Sequence, residues 1–135
     1  MNLENDAADL YLNLLKGCLT RLIFPDSCVN NEFRPTGMFD PDARRNGQDW
    51  PSDAETMVGL KRLDNLQACI TSALHDGTPG DLVETGVWRG GAAILMRAVL
   101  KAHGDRQRLV WAVDSYAGLP KPDAVRYPED AQDCL

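Results

Sequence analysis

The run Asp81-Leu-Val-Glu-Thr-Gly-Val-Trp-Arg-Gly-Gly91 constrains the fold more than any other part of the chain. Leu82 to Thr85 suit a strand, and they run straight into a glycine-rich turn. The stretch that follows, Ala92-Ala-Ile-Leu-Met-Arg-Ala-Val-Leu100, is apolar nearly all round, as a helix packed on a sheet face among neighbours must be. Gly104 closes that helix, and Leu109-Val-Trp-Ala-Val-Asp114 has the form of a second strand ending in an acidic residue. Strand, helix and strand in this order predict a parallel pair with a right-handed crossover. The fold class is therefore α/β and Rossmann-like, and such sheets bind ligands at the carboxyl ends of neighbouring strands.

Upstream, Leu10, Leu14, Leu15, Cys18, Leu19 and Leu22 recur at spacings of three and four, which predicts an amphipathic helix over Ala7 to Ile23, stopped by Pro25 and Asp26. From Ser27 to Pro51 no period of 2 or 3.6 is sustained, so the segment reads as a long loop. Its isolated Phe33, Met38, Phe39 and Trp50 favour a lid that closes over a partner, the alternative being a surface connector. Ser52-Asp53-Ala54-Glu55 has the form of a capping box and predicts a helix start. Val58 or Gly59, Leu63, Leu66, Ile70, Ala73 and Leu74 then hold one face until Asp76-Gly77. The chain thus divides into an N-terminal helix (1–26), a loop or lid (27–51) and the first half of a cofactor domain (52–135).

A composition of 44% hydrophobic residues in 135 can fill a core. Scattered Lys and Arg and a net charge of -6 argue against a nucleic-acid partner. Cys18, Cys28, Cys69 and Cys134 lie far apart without a Cys-x-x-Cys pair, which reads as reduced thiols in a cytoplasmic protein. The start carries acid where a signal peptide needs base, and no apolar run approaches about 18 residues, so neither secretion nor a membrane partner is expected.

The turn also selects among cofactors. A dinucleotide fingerprint places glycine where this chain has Trp88, and the indole would obstruct a pyrophosphate. No Gly-Lys-Ser or Gly-Lys-Thr follows, so a P-loop fails as well. What remains is Glu-x-Gly-x-x-x-Gly-Gly, suited to a ligand with one adenosine and no phosphates, S-adenosylmethionine. In this reading the amides from Gly86 to Trp88 face the amino-acid part of the cofactor. Glu84 complements its ammonium group, and Asp114 accepts the ribose hydroxyls. Either half alone also has a plain structural reading, a packing turn or a strand-end acid. His75 and His103 read as helix C-terminal residues, and Tyr116 as an adenine neighbour or a packing residue.

Glu84-Thr-Gly-Val-Trp-Arg-Gly-Gly91, Val113-Asp-Ser-Tyr-Ala-Gly-Leu-Pro120 and Glu55-Thr-Met-Val-Gly-Leu-Lys-Arg-Leu-Asp-Asn65 together resemble the macrocin O-methyltransferase family, over about Leu10 to Pro120. The resemblance implies a class I methyltransferase fold that transfers a methyl group from S-adenosylmethionine to a sugar hydroxyl of a macrolide-like acceptor, with magnesium. It implies that Thr56 and Met57 border the cofactor. Glu84, Thr85, Gly86, Val87 and Trp88 would hold its methionine part, and Asp114, Ser115, Tyr116, Ala117 and Gly118 its ribose and adenine. The loop from Asn30 to Trp50 resembles a mobile segment over the active site. The family's metal ligands lie after the Asp-Ser-Tyr-Ala-Gly-Leu-Pro segment, so no metal ligand or catalytic base is carried over. Asp123, Glu129, Asp130 and Asp133 read as a solvated tail.

Two parallel strands, apolar on both faces, call for further strands, so the sequence reads as the front half of a domain, truncated after its second strand. Its exposed edge predicts poor solubility. A non-catalytic binding module, a degenerate remnant and an NAD-dependent oxidoreductase are the alternatives, and a homo-oligomer is left open.

Overall fold

The computed structural model describes residues 3–29, 37–123 and 125–129. The elements are α1 (Leu3–Leu19), α2 (Pro41–Asn46), α3 (Gly59–His75), β1 (Leu82–Thr85), α4 (Gly91–Ala102) and β2 (Val110–Val113). The two strands pair in parallel with Leu82 opposite Val110 and Thr85 opposite Val113. The sheet and its crossover helix therefore follow the sequence reading. Helix α4 packs on the sheet, and α1 and α3 pack on α4. Leu12, Leu19, Leu63, Ile70, Leu95, Met96, Ala98, Val99 and Leu100 form the core, with Leu82 and Val110 against it. Each fully buried leucine contributes about 1.5–3 kcal/mol by leaving water, so α4, with two, anchors the assembly.

Helix α1 departs from the predicted face and end. It buries Leu12 and Leu19, whereas Leu10 and Leu14 are 72% and 57% exposed. Its apolar arc is wider than the strip α4 can cover. The helix stops at Leu19, well before Pro25, because Arg21 turns into the left-handed region (φ 56). The amide of Arg21 then bonds the Cys18 carbonyl and that of Leu22 the Gly17 carbonyl, a Schellman closure with arginine where glycine is usual.

The expected capping box does not start α3. The Ser52 hydroxyl contacts the Ser27 hydroxyl (2.9 Å) and Glu55 pairs with Arg21 (3.1 Å). Helix α3 begins only at Gly59, with no side-chain cap. The amides that a cap would serve are already held: those of Asp53 and Ala54 donate to Asp26 Oδ2, and that of Glu55 to the Leu19 carbonyl. Residues 51–57 form instead an irregular strap across the end of α1. The long-loop reading also misses α2, which Asp40 caps through the amides of Asp42 and Ala43. The tight approach of Gly47 to Gly59 joins α2 to α3: a Cβ on Gly59 would lie 2.3 Å from the Gly47 nitrogen.

Arg44 organises this region. Its side chain is 1% exposed and binds Asp26 Oδ1 (2.6 Å), Asp49 Oδ2 (2.6 Å) and the Thr20 carbonyl (2.9 Å). Burial pushes the Asp26 carboxyl up, but the Asp53 and Ala54 amides and the Arg44 guanidinium outweigh it and hold it below its usual range. Cys28 donates to Asp49 (3.0 Å), and burial and that carboxylate keep it a thiol. Cys18, Cys28 and Cys69 are free, and Cys134 lies outside the described residues. Arg44, Asp49 and Cys28 thus tie together described parts of the 27–51 segment, of which residues 30–36 lie outside the described residues.

Replacing Arg44 by Met leaves Asp26 and Asp49 buried without their cation. Urea unfolding should show a loss of about 3–5 kcal/mol, the scale of removing one partner from a buried pair. Adding Asp26→Asn and Asp49→Asn to Arg44→Met should recover part of it. A single-variant loss below about 1 kcal/mol, the range of exposed pairs, would show that the cluster is not a buried ionic hub.

Candidate cofactor site

The parallel register sets the carboxyl ends of β1 and β2 side by side, so Gly86 and Asp114 become neighbours. The Gly86 amide continues the ladder to the Val113 carbonyl (3.0 Å). With φ 83 it takes a conformation that favours glycine, and a Cβ built there would meet nothing within 4 Å. The backbone at this point is open to a ligand. Gly91, by contrast, is closed in: its amide donates to the Glu55 carbonyl (2.9 Å), and a Cβ would lie 2.5 Å from that oxygen and 2.7 Å from Thr56 Cβ. The strap thus rests directly on the N-terminus of α4.

Asp114 reaches back across the turn. Its Oδ2 accepts from the Val87 amide (2.6 Å), its Oδ1 from the Tyr116 amide (3.0 Å) and, at 3.5 Å, from the Ser115 hydroxyl. The amides of Val87 and Tyr116, with smaller contributions from those of Trp88 and Ser115, hold its carboxyl below the usual range. This corrects one sequence expectation. Two of the amides from Gly86 to Trp88 do not point free toward a ligand; the ladder takes that of Gly86, and Asp114 takes that of Val87.

Glu84 sits half-buried on β1, near the first turn of α4. Gly90 at the cap position of α4 has no side chain to offer. Glu84 Oε2 is buried without a hydrogen-bond partner. Burial, and secondarily the charge of Asp114, push the Glu84 carboxyl above its ordinary value, with the Ala93 amide opposing.

The sequence model of the macrocin-O-methyltransferase (TylF) family matches residues 26–135. The chain belongs to this family. It is 55% identical over 96% of its length to 8-demethyl-8-(2,3-dimethoxy-alpha-L-rhamnosyl)-tetracenomycin-C 4'-O-methyltransferase of Streptomyces olivaceus, covering 49% of that protein. It is 48% identical over 92% of its length to mycinamicin III 3''-O-methyltransferase of Micromonospora griseorubida, again covering 49%. The solved structure of the O-methyltransferase NovP superposes with a TM-score of 0.79 at 41% identity, over 92% of this chain and 49% of that one. The chain spans about half the length of the relatives it matches, and its α/β architecture is that of a methyltransferase half.

Within this methyltransferase fold the expected residues fall unevenly. Glu84, Gly86, Val87 and Asp114 converge. Thr85 is exposed on the strand, opposite Val113. Thr56 is buried behind Gly91 with its hydroxyl accepting from the Val58 amide, and Met57 beside it is half-buried. Ser115 is turned inward on its own loop, donating to the Gly118 carbonyl (3.0 Å) and accepting from the Ala117 amide. Tyr116 lies back along β2, its hydroxyl on the Ala112 carbonyl (2.8 Å), with the ring largely exposed. His75 and His103 sit at the ends of α3 and α4, the latter against the Thr71 hydroxyl (3.3 Å). Asp130 and Asp133 lie outside the described residues.

Sequence reasoning missed Arg89, whose guanidinium lies 4.1 Å from the Trp88 ring centroid and donates to the Ala54 carbonyl (3.0 Å). Its partners are backbone oxygens, which leave no mark in a sequence. The available signal was a cation directly after the aromatic of the turn.

Because the folded-state value of Glu84 is raised, the native protein binds the proton more tightly than the unfolded chain. Wild-type stability should therefore fall as pH rises from the ordinary value of 4.5 through the raised one. Glu84→Gln removes that slope. Urea midpoints should agree for the two proteins below this window and favour Glu84→Gln at neutral pH; equal midpoints at both would refute the raised value.

Proposed function

We propose that the site binds S-adenosylmethionine and that the full-length protein, a cytoplasmic enzyme, transfers its methyl group to a sugar hydroxyl of a glycosylated natural product. The observation that carries the reading is the buried, partnerless oxygen of Glu84 close to a glycine whose open side admits a ligand. A carboxylate oxygen in that state is complemented by a cationic N–H donor, which the cofactor's ammonium supplies. The relatives are methyltransferases of a rhamnosyl-tetracenomycin, of mycinamicin III and of demethyldecarbamoylnovobiocin, which supports a glycosylated small molecule as acceptor.

Glu84 would hold the ammonium end, the chain at Gly86 would admit the methionine part, and Asp114 would take a ribose hydroxyl in place of its long Ser115 contact. Thr56 and Met57 would wall the far side. The cofactor supplies an electrophilic methyl on a sulfonium, and the protein's residues orient it for in-line attack by the acceptor oxygen, a contribution of positioning. A pyrophosphate cofactor fits less well, because the Asp114 carboxylate already occupies the Val87 amide of the turn that a phosphate would use. Among the described residues no three His, Cys, Asp or Glu side chains gather as a metal ligand set. These residues offer no ligand set for the magnesium that the resemblance implies.

Titration calorimetry on the full-length protein should show binding of S-adenosylmethionine and S-adenosylhomocysteine and none of NAD. Glu84→Gln and Asp114→Ala should each weaken binding roughly tenfold or more, the scale of a hydrogen bond to a charged group. Wild-type affinity in both variants, or NAD binding alone, would overturn the assignment.

A further inference from the structure

We infer that Arg89 is a positioning residue that fixes the width of the cofactor cleft by latching the 51–57 strap to the glycine turn. The inference rests on the cofactor reading above. Its basis is geometric. Trp88 is held at φ 50, in the left-handed region that a bulky residue rarely enters, and this sends residue 89 out of the turn toward the strap. There one nitrogen, Nη1, donates to the Ala54 carbonyl at 3.0 Å and lies 3.5 Å from the Pro51 carbonyl. The guanidinium also lies over the Trp88 ring at 4.1 Å, so one planar cation grips both strap and turn.

A second tie lies alongside, where the Gly91 amide meets the Glu55 carbonyl at 2.9 Å. Two ties at adjacent points of the strap fix its orientation as well as its distance, and Thr56 and Met57 follow directly in the chain. The strap's other ties run to Asp26, Leu19 and Arg21, so without Arg89 the Gly91–Glu55 bond would be left to hold it against the glycine turn. Arg89 adds a second hold on that side without reaching into the open space beside Gly86. Its effect should therefore fall on cofactor affinity, through Thr56 and Met57, more than on the chemistry.

The test compares Arg89→Met, which keeps the apolar stem, with Arg89→Lys, which keeps one charged donor, in the full-length protein. Titration with S-adenosylhomocysteine should give a Kd about tenfold higher for Arg89→Met, the scale of one lost charge-assisted bond, with partial recovery in Arg89→Lys. In assays with a glycosylated acceptor that the wild type methylates, KM for S-adenosylmethionine should rise while kcat and the acceptor KM hold. A purely structural role would lower the melting temperature and leave the Kd of the folded fraction unchanged. Wild-type Kd in a folded Arg89→Met, with wild-type binding intact, would overturn the latch and spare the cofactor assignment. Failure of the wild type to bind would overturn both. If Arg89→Met does not fold, Arg89→Gln, which keeps one N–H for Ala54, decides between a severalfold weaker Kd and the wild-type value.

Discussion

The buried guanidinium of Arg44 is the interaction on which the site's surroundings depend. It joins three pieces of chain that share no secondary structure: the turn after α1 through Thr20 and Asp26, its own helix α2, and the return toward the strap through Asp49. Asp26 then uses its second oxygen on the amides of Asp53 and Ala54. The position of the strap against Gly91 thus descends, bond by bond, from one cation. A buried pair of this kind gains little net energy over an apolar replacement, because desolvation offsets attraction. Its effect is to select one arrangement: a planar fork satisfies two carboxylates and a carbonyl only when all three sit correctly.

The sheet imposes the second constraint. Parallel strands in α/β proteins are covered on both faces, and α4 covers one face here. On the strands Val83, Trp111 and Val113 remain 57%, 54% and 52% exposed. These side chains belong to the type of surface that further elements of such a fold bury. The carboxyl ends need no such cover to be organised, because the Asp114 carboxylate ties the two strand ends together through the Val87 amide.

What was legible in the sequence follows the same division. Strand β1, helix α4 and strand β2 announced themselves because pattern and glycine punctuation agree with the tertiary structure, and the β-α-β rule alone brings Gly86 beside Asp114. Helix α2 was signalled by Asp40-Pro41, a cap followed by a helix-starting proline, but six residues are too few to establish a period. The start of α3 was misread because Ser52 and Glu55 look local and act at a distance, on Ser27 and Arg21. The direction of the Gly86–Trp88 amides was likewise illegible, since it depends on where the Asp114 side chain turns.

The two carboxylates at the strand ends divide the work by how well each is satisfied. Asp114 is held low by backbone amides, chiefly those of Val87 and Tyr116, so its charge is settled within the protein. Glu84 is half-buried, with a bare oxygen and an anionic neighbour, so its charge is the unsettled one. The field at the mouth of the turn is therefore negative where a helix N-terminus would ordinarily be positive. A turn of this shape without Glu84 and Asp114 would invite a phosphate. With them the turn presents carboxylates where a phosphate would need bare amides, so the same strand-turn-helix geometry is less suited to a phosphate.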